Sequence, residues 1–105
     1  MLKDYQKYLN YYAKLSDLKK HIENEHIESS IVYTYGAWDL LHPGHIRFLS
    51  KAKDLGDFLI VGIISDTQIA EFKGKDRPIQ NEEQRMITVG SLKMVDAVIS
   101  QPVYD

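Results

Sequence analysis

The chain has 105 residues, 44% hydrophobic and 27% charged, with a formal net charge of -2 and no cysteine. That length predicts one domain with a small core, and the lack of cysteine excludes disulfides and a Cys-based zinc site. The near-neutral charge gives no surface for wrapping nucleic acid, and with neither a bilayer-length apolar run nor a signal-peptide pattern the expectation is a cytoplasmic chain without nucleic-acid or membrane partners.

Residues 1–29 read as an N-terminal helical extension. Tyr5, Tyr8, Tyr12, Leu15, Leu18 and Ile22 recur every three or four residues, an amphipathic stripe. Ser16 can cap a second helical piece, with Asp17 in its first turn. The stripe suits a face packed on the domain or on a partner chain. His21 and His26 read as solvated. Residues 30–105 form the domain proper. The apolar, β-branched run 31–35 predicts a strand. A helix over 44–55 follows, with Phe48, Leu49, Ala52 and Leu55 on one face and Gly56 as its stop. Residues 58–64 are nearly all apolar, as in a strand covered on both faces. A short helical piece over 67–71 leads into a polar loop, 73–80, expected to be mobile without ligand. Asn81-Glu82-Glu83-Gln84 has capping-box form and opens a helix to about Met94. Residues 97–100 predict a third strand. This β-α-β-α-β order argues for an α/β fold with a parallel sheet of three strands and right-handed crossovers.

The chemistry concentrates in His42-Pro43-Gly44-His45. Neither the dinucleotide glycine fingerprint nor the P-loop is present. The segment lies between the first strand and the first helix, at the sheet edge where open α/β folds bind ligands. A helix N-terminus offers N–H groups and a positive dipole end, which suit phosphate. Two histidines there can stabilise charge building on a phosphoryl group. Pro43 fits a first helical turn, and Gly44 lets a nucleotide approach the backbone. His42 and His45, three apart, can face one pocket. The rival readings are a structural pair or a partial metal site. A metal needs a third ligand, Asp39 is the only obvious one nearby, and no metal site is expected. Lys73, Lys75 and Arg77 around Gly74 read either as a solvated loop or as a mobile polyphosphate clamp. Arg85, in a first helical turn, opposes the dipole and calls for an anion or carboxylate. Asp66 reads as an N-cap or a substrate contact, and Trp38 as a packing residue.

Tyr35-Gly36-Ala37-Trp38-Asp39-Leu40-Leu41-His42-Pro43-Gly44-His45 resembles the signature of the cytidylyltransferase-like nucleotidyltransferases: a glycine, an aromatic-Asp pair and His-x-Gly-His. Thr34-Tyr35-Gly36 and Asp39-Leu40-Leu41-His42 resemble glycerol-3-phosphate cytidylyltransferases. Lys73-Gly74-Lys75-Asp76-Arg77-Pro78-Ile79, Glu83-Gln84-Arg85-Met86 and Val95-Asp96-Ala97-Val98-Ile99 resemble the heptose-phosphate adenylyltransferase domain. The similarity spans roughly residues 30–100.

The resemblance implies a Rossmann-like, three-layer α/β/α fold. It implies transfer of CMP or AMP from CTP or ATP to a phosphorylated alcohol or sugar, with release of pyrophosphate. Glycerol-3-phosphate cytidylyl transfer is the first reading and heptose-phosphate adenylyl transfer the alternative. By the same resemblance His42, His45 and Lys73 are catalytic. Tyr35, Gly36, Ala37, Trp38, Gly44 and Lys75 line the nucleotide. Asp39, Asp66 and Arg85 surround the acceptor or hold the site in shape, Mg2+ arrives with the triphosphate, and the chain forms a homodimer. Two departures stand out. Ala37 replaces a usual hydroxyl or thiol, and the family's later Ile-Ser-Thr-Thr-type motif is absent. The sheet is therefore expected to be incomplete at the C-terminus. The rival of another class is a catalytically silent module that binds nucleotide weakly or only oligomerises.

Overall fold

A computed structural model describes residues 2–12, 15–25 and 28–101. After a 3-10 turn at Leu2–Tyr5, the elements are β1 (Tyr11–Tyr12), α1 (Leu15–Glu25), β2 (Ile31–Gly36), α2 (Pro43–Lys53), β3 (Phe58–Ile63), α3 (Asp66–Lys73), α4 (Glu82–Gly90) and β4 (Ala97–Ser100). The sheet has four strands in the order β1-β4-β3-β2, and every pairing is parallel. The expected α/β parallel architecture is present, with one strand more than the sequence pattern predicts.

That extra strand comes from the N-terminal segment and corrects the helical reading of Tyr11 and Tyr12. Tyr11 and Tyr12 lie opposite Val98 and Ile99. Asn10 anchors the approach: its carbonyl accepts from Val98 N (2.9 Å) and its Nδ2 donates to the Asp96 carbonyl (2.7 Å). Without it β4 would present a row of unpaired backbone groups on that side, and the tyrosine pair, a good β former, satisfies them. Tyr5 and Tyr8 therefore do not continue a helical stripe, and Tyr8 is well exposed. Helix α1 starts at Leu15, ahead of Ser16, so Ser16 lies inside it.

Alternation along the strands sorts the core into two halves. Leu59, Val61, Ile63 and Val98 face Leu49, Ala52, Trp38, Met86 and Val89. Phe58, Ile60, Ala97 and Ile99 face Leu18 and Ile22 of α1. Helices thus cover both faces of the sheet, which gives three layers, and all six residues of β3 are buried. His21, expected in solvent, is half-buried beside Tyr12 and Phe58, with ring centroids at 5.7 and 6.1 Å. His26 lies outside the described residues. Asp96 pins the end of the sheet remote from the histidine turn. Its Oδ2 accepts from Leu59 N (2.7 Å) and Lys53 Nζ (2.6 Å).

Helix ends follow local chemistry. Asn81 and Gln84 form the expected capping box. The N-cap of α3 is Ser65, not Asp66, because the Ser65 hydroxyl accepts from Gln68 N and Asp66 becomes the first helical residue. Helix α2 stops at Lys53 with Asp54 as C-cap. Leu55 then points to solvent at 80% exposure, so it is not on the core face. Gly56 is still required: a Cβ there would lie 2.7 Å from Val32 Cγ2. Helix α4 ends at Gly90, short of Met94, where the backbone turns through Leu92 and Val95.

Candidate functional site

Strand β2 delivers the chain at Gly36 to a strained turn. Trp38 and Leu40 both have positive φ, 55° and 54°, a region non-glycine residues seldom occupy. Trp38 is held there by its indole N–H, which donates to the Gly62 carbonyl of β3 (3.0 Å). Gly36 makes room: a Cβ there would stand 3.0 Å from the indole.

The turn ends on His42, the N-cap of α2. Its Nδ1 accepts from Gly44 N (3.0 Å), and His45 Nδ1 accepts from His42 N (3.1 Å), so two imidazoles make the capping box. Their ring centroids are 3.9 Å apart. An Nδ1 that accepts must be unprotonated, so in each neutral ring the proton sits on Nε2. Both rings are thereby fixed as Nε2–H donors. The first-turn N–H groups expected to be open to phosphate are already used. Gly44 N is taken by His42 Nδ1, and His45 N and Ile46 N by the His42 carbonyl. The donors left open at this helix start are therefore the imidazole Nε2–H groups rather than these backbone N–H groups. A cleft of about 450 Å³ opens here, lined by Tyr35, Trp38, His42, Gly44, His45 and Phe48.

Beside it lies a second cleft of about 420 Å³, lined by Asp39, Leu40, Ile69, Lys73 and Arg77. Asp39 fastens the far end of the loop to the turn, its two carboxylate oxygens accepting from Ile79 N (2.8 Å) and Gln80 N (2.9 Å). Leu40 N donates to Gln80 Oε1 (3.2 Å). Gly74 caps α3 with φ 101°, a conformation that favours glycine.

Residues 33–105 match the family described as cytidylyltransferase-like. The chain belongs to the cytidylyltransferase-like family. It is 46% identical over 89 residues to the bifunctional protein HldE of Helicobacter pylori (strain HPAG1), covering 84% of this chain and 19% of that protein. It is 49% identical over 69 residues to the bifunctional protein HldE of a Nitratiruptor species, covering 66% of this chain and 15% of that one. The chain thus spans less than a fifth of these relatives. The crystal structure of the lipopolysaccharide core biosynthesis protein from Thermoplasma volcanium GSS1 shares the fold, with a TM-score of 0.65 and 38% identity over 70% of this chain and 59% of that one.

In this cytidylyltransferase-like domain Tyr35, Trp38, Gly44, His42 and His45 share one cleft, and Lys73 and Asp39 line its neighbour. Gly36 acts from beneath, through the space it leaves for Trp38. Lys75 lines neither of these clefts and is exposed on the loop. The Ala37 carbonyl accepts from Arg85 Nη1 (2.7 Å), so this backbone faces inward. Arg85 itself is fully buried, and its guanidinium also reaches the Gln80 carbonyl (3.0 Å) and Asp66 Oδ1 (2.7 Å). The carboxylate that its position against the dipole calls for is Asp66. Phe48 is a cleft residue that the sequence motif leaves out, and its place one helical turn after His45 is the signal that finds it.

The electrostatics follow from these contacts. Burial lowers the His45 pKa below its ordinary value, and the neighbouring His42 and Lys73 lower it further. Burial pushes the Asp39 carboxyl up, but the N–H groups of Ile79 and Gln80 and the charges of Arg85 and Arg77 outweigh it, and the net shift is downward. Among the described residues no group of three or more His, Cys, Asp or Glu could hold a metal ion.

Proposed function

We propose that this domain transfers an adenylyl group from ATP to a phosphorylated sugar with release of pyrophosphate, as a heptose-phosphate adenylyltransferase does. The observation that carries the reading is the close His42–His45 pair, ring centroids 3.9 Å apart and planes tilted by 34°, with both Nδ1 atoms tied to backbone N–H groups. ATP replaces CTP as the first reading because bifunctional HldE proteins from two genera are 46% and 49% identical to this chain. The loop segments that resemble the adenylyltransferase domain point the same way.

The acceptor phosphate supplies an oxygen that attacks the α-phosphorus. The bond from that phosphorus to the bridging oxygen breaks, and pyrophosphate leaves with the electron pair. Such a reaction asks the protein for position and charge stabilisation more than for covalent chemistry. His42 and His45 donate from Nε2 to phosphate oxygens as negative charge moves toward the leaving group. Lys73 adds a cation from the end of α3, close enough to depress the His45 pKa. Tyr35, Trp38 and Phe48 give the cleft an aromatic wall on one side. Asp39, committed to Ile79 and Gln80, holds the loop rather than a ligand. Mg2+ enters as part of the Mg–ATP substrate, which suits an ion that keeps its waters and needs few protein ligands.

The test is pyrophosphate release with ATP or CTP against a panel of phosphorylated sugars and alcohols. Triphosphate binding with a preference for ATP and a phosphorylated sugar is expected, with little turnover from these 105 residues alone. A preference for CTP with glycerol 3-phosphate would overturn the choice of base and acceptor. Absence of both turnover and triphosphate binding would overturn the enzyme reading itself.

A further inference from the structure

We propose that Arg85 is a positioning residue, which locks the histidine turn to the lysine loop from beneath and so fixes the disposition of His42 and His45 without touching a ligand. Its guanidinium has no exposure and donates in three directions, to the Ala37 carbonyl in the turn, the Gln80 carbonyl at the end of the loop and Asp66 at the start of α3. A planar fork spreads these donors over three separate nitrogens, Nε, Nη1 and Nη2; a lysine ammonium holds its three donors on one nitrogen at the end of a flexible stem. From the other side, Asp39 accepts from Ile79 N and Gln80 N, and Leu40 N donates to Gln80 Oε1. Turn residues 37–40 and loop residues 79–80 are therefore laced together through both surfaces.

The lacing acts on a strained segment. Trp38 and Leu40, both at positive φ, lie between the Ala37 carbonyl and His42. Backbone in that region persists only where its surroundings over-determine it. Loss of the Arg85 fork removes the hold on Ala37, at one end of the segment that leads into the imidazole cap. The turn then relaxes, and the Nδ1 bonds that orient the two rings are the first to feel it. The ligand side of this inference rests on the nucleotide reading above; the lock itself does not.

The test is Arg85→Lys in the full chain, read by histidine side-chain 15N NMR, amide exchange and ATP titration. Far-UV circular dichroism should stay as in the parent. The Nδ1 resonances of His42 and His45 should lose their unprotonated, hydrogen-bonded signature. The Ile79 and Gln80 amides should lose protection, and ATP should bind more weakly, each by roughly tenfold or more, the scale of a small misplacement. If Arg85→Lys does not fold, Asp39→Asn tests the same lock from its outer side and should move both the imidazole and the Ile79 and Gln80 signals. A folded Arg85→Lys with parental imidazole and amide signals overturns the proposal. So does an Asp39→Asn that frees the loop while the imidazoles stay unchanged. Absence of ATP binding in the parent defeats the nucleotide reading alone, because the NMR signals still decide the lock.

Discussion

His45 accepts a hydrogen bond from the backbone N–H of His42, and His42 in turn accepts one from Gly44, one residue short of His45. The two rings thus cap a helix with the same nitrogens that would otherwise compete for a proton. Capping usually falls to a hydroxyl or carboxylate oxygen. Using imidazoles instead leaves an N–H on each ring at a helix N-terminus, where anions are favoured.

The lowered pKa of His45 has a consequence for stability. The folded state holds its proton less tightly than the unfolded chain does. His45 therefore contributes nothing against folding above the ordinary histidine range, and the chain loses stability as pH falls through about 6.5 toward the depressed folded value. Asp39 has the same sign at lower pH: its stabilisation is present above the usual carboxylate range and fades as acid protonates it. Urea midpoints measured from neutral pH downward should fall in these two windows, and His45→Gln should remove the upper one. A midpoint that rises on acidification through the histidine range contradicts the sign.

Trp38, the only tryptophan of the chain, meets the edge of His45 at 5.8 Å between centroids. A protonated imidazole quenches a neighbouring indole, so Trp38 emission should titrate with His45. The midpoint should lie below the ordinary histidine value of about 6.5. A midpoint at or above that value, or a titration that survives His45→Gln, contradicts the assignment.

Trp38→Phe keeps an aromatic ring but removes the N–H that serves the Gly62 carbonyl. The expected loss is about 1–3 kcal/mol, the cost of a buried acceptor left short of its partner. Equilibrium urea unfolding measures it; no loss would mean that the indole nitrogen is not holding the turn.

Gly44→Ala separates binding from folding. Alanine is the better helix former, by up to about 1 kcal/mol, yet its Cβ would lie 2.8 Å from His42 Cε1. The imidazole must turn away and release the Gly44 N–H that it caps, which offsets the helix gain, so stability should hold or fall slightly while ATP affinity falls. Unchanged affinity by calorimetry would show that the orientation of His42 does not matter.

Much of this architecture is legible in the sequence. Periodicity places β2, β3, β4 and the helix after the histidine turn, because buried parallel strands and amphipathic helices write themselves in apolar spacing. The capping box at Asn81 and Gln84 is legible for the same local reason. The N-terminal strand is not. Tyr11 and Tyr12 are too short a run to signal a strand, and what makes them one is the backbone of Val98 and Ile99, more than eighty residues away. The histidine pair is visible as a motif, but not that its rings consume the N–H groups of the first turn. Arg85 is legible as a cation in need of a carboxylate. That the carboxylate is Asp66, half-exposed at the start of α3, depends on a crossover that no local pattern records.

Under the proposed function, His42 and His45 receive the phosphates of a nucleotide through Nε2. Titration of the 15N-histidine-labelled chain with Mg–ATP, followed at the side-chain nitrogens and repeated with adenosine, tests it most directly. Both Nε2 resonances should move saturably with ATP and stay in place with adenosine. If neither moves at saturating ATP, or if adenosine moves them equally, the histidine pair is not the phosphate site.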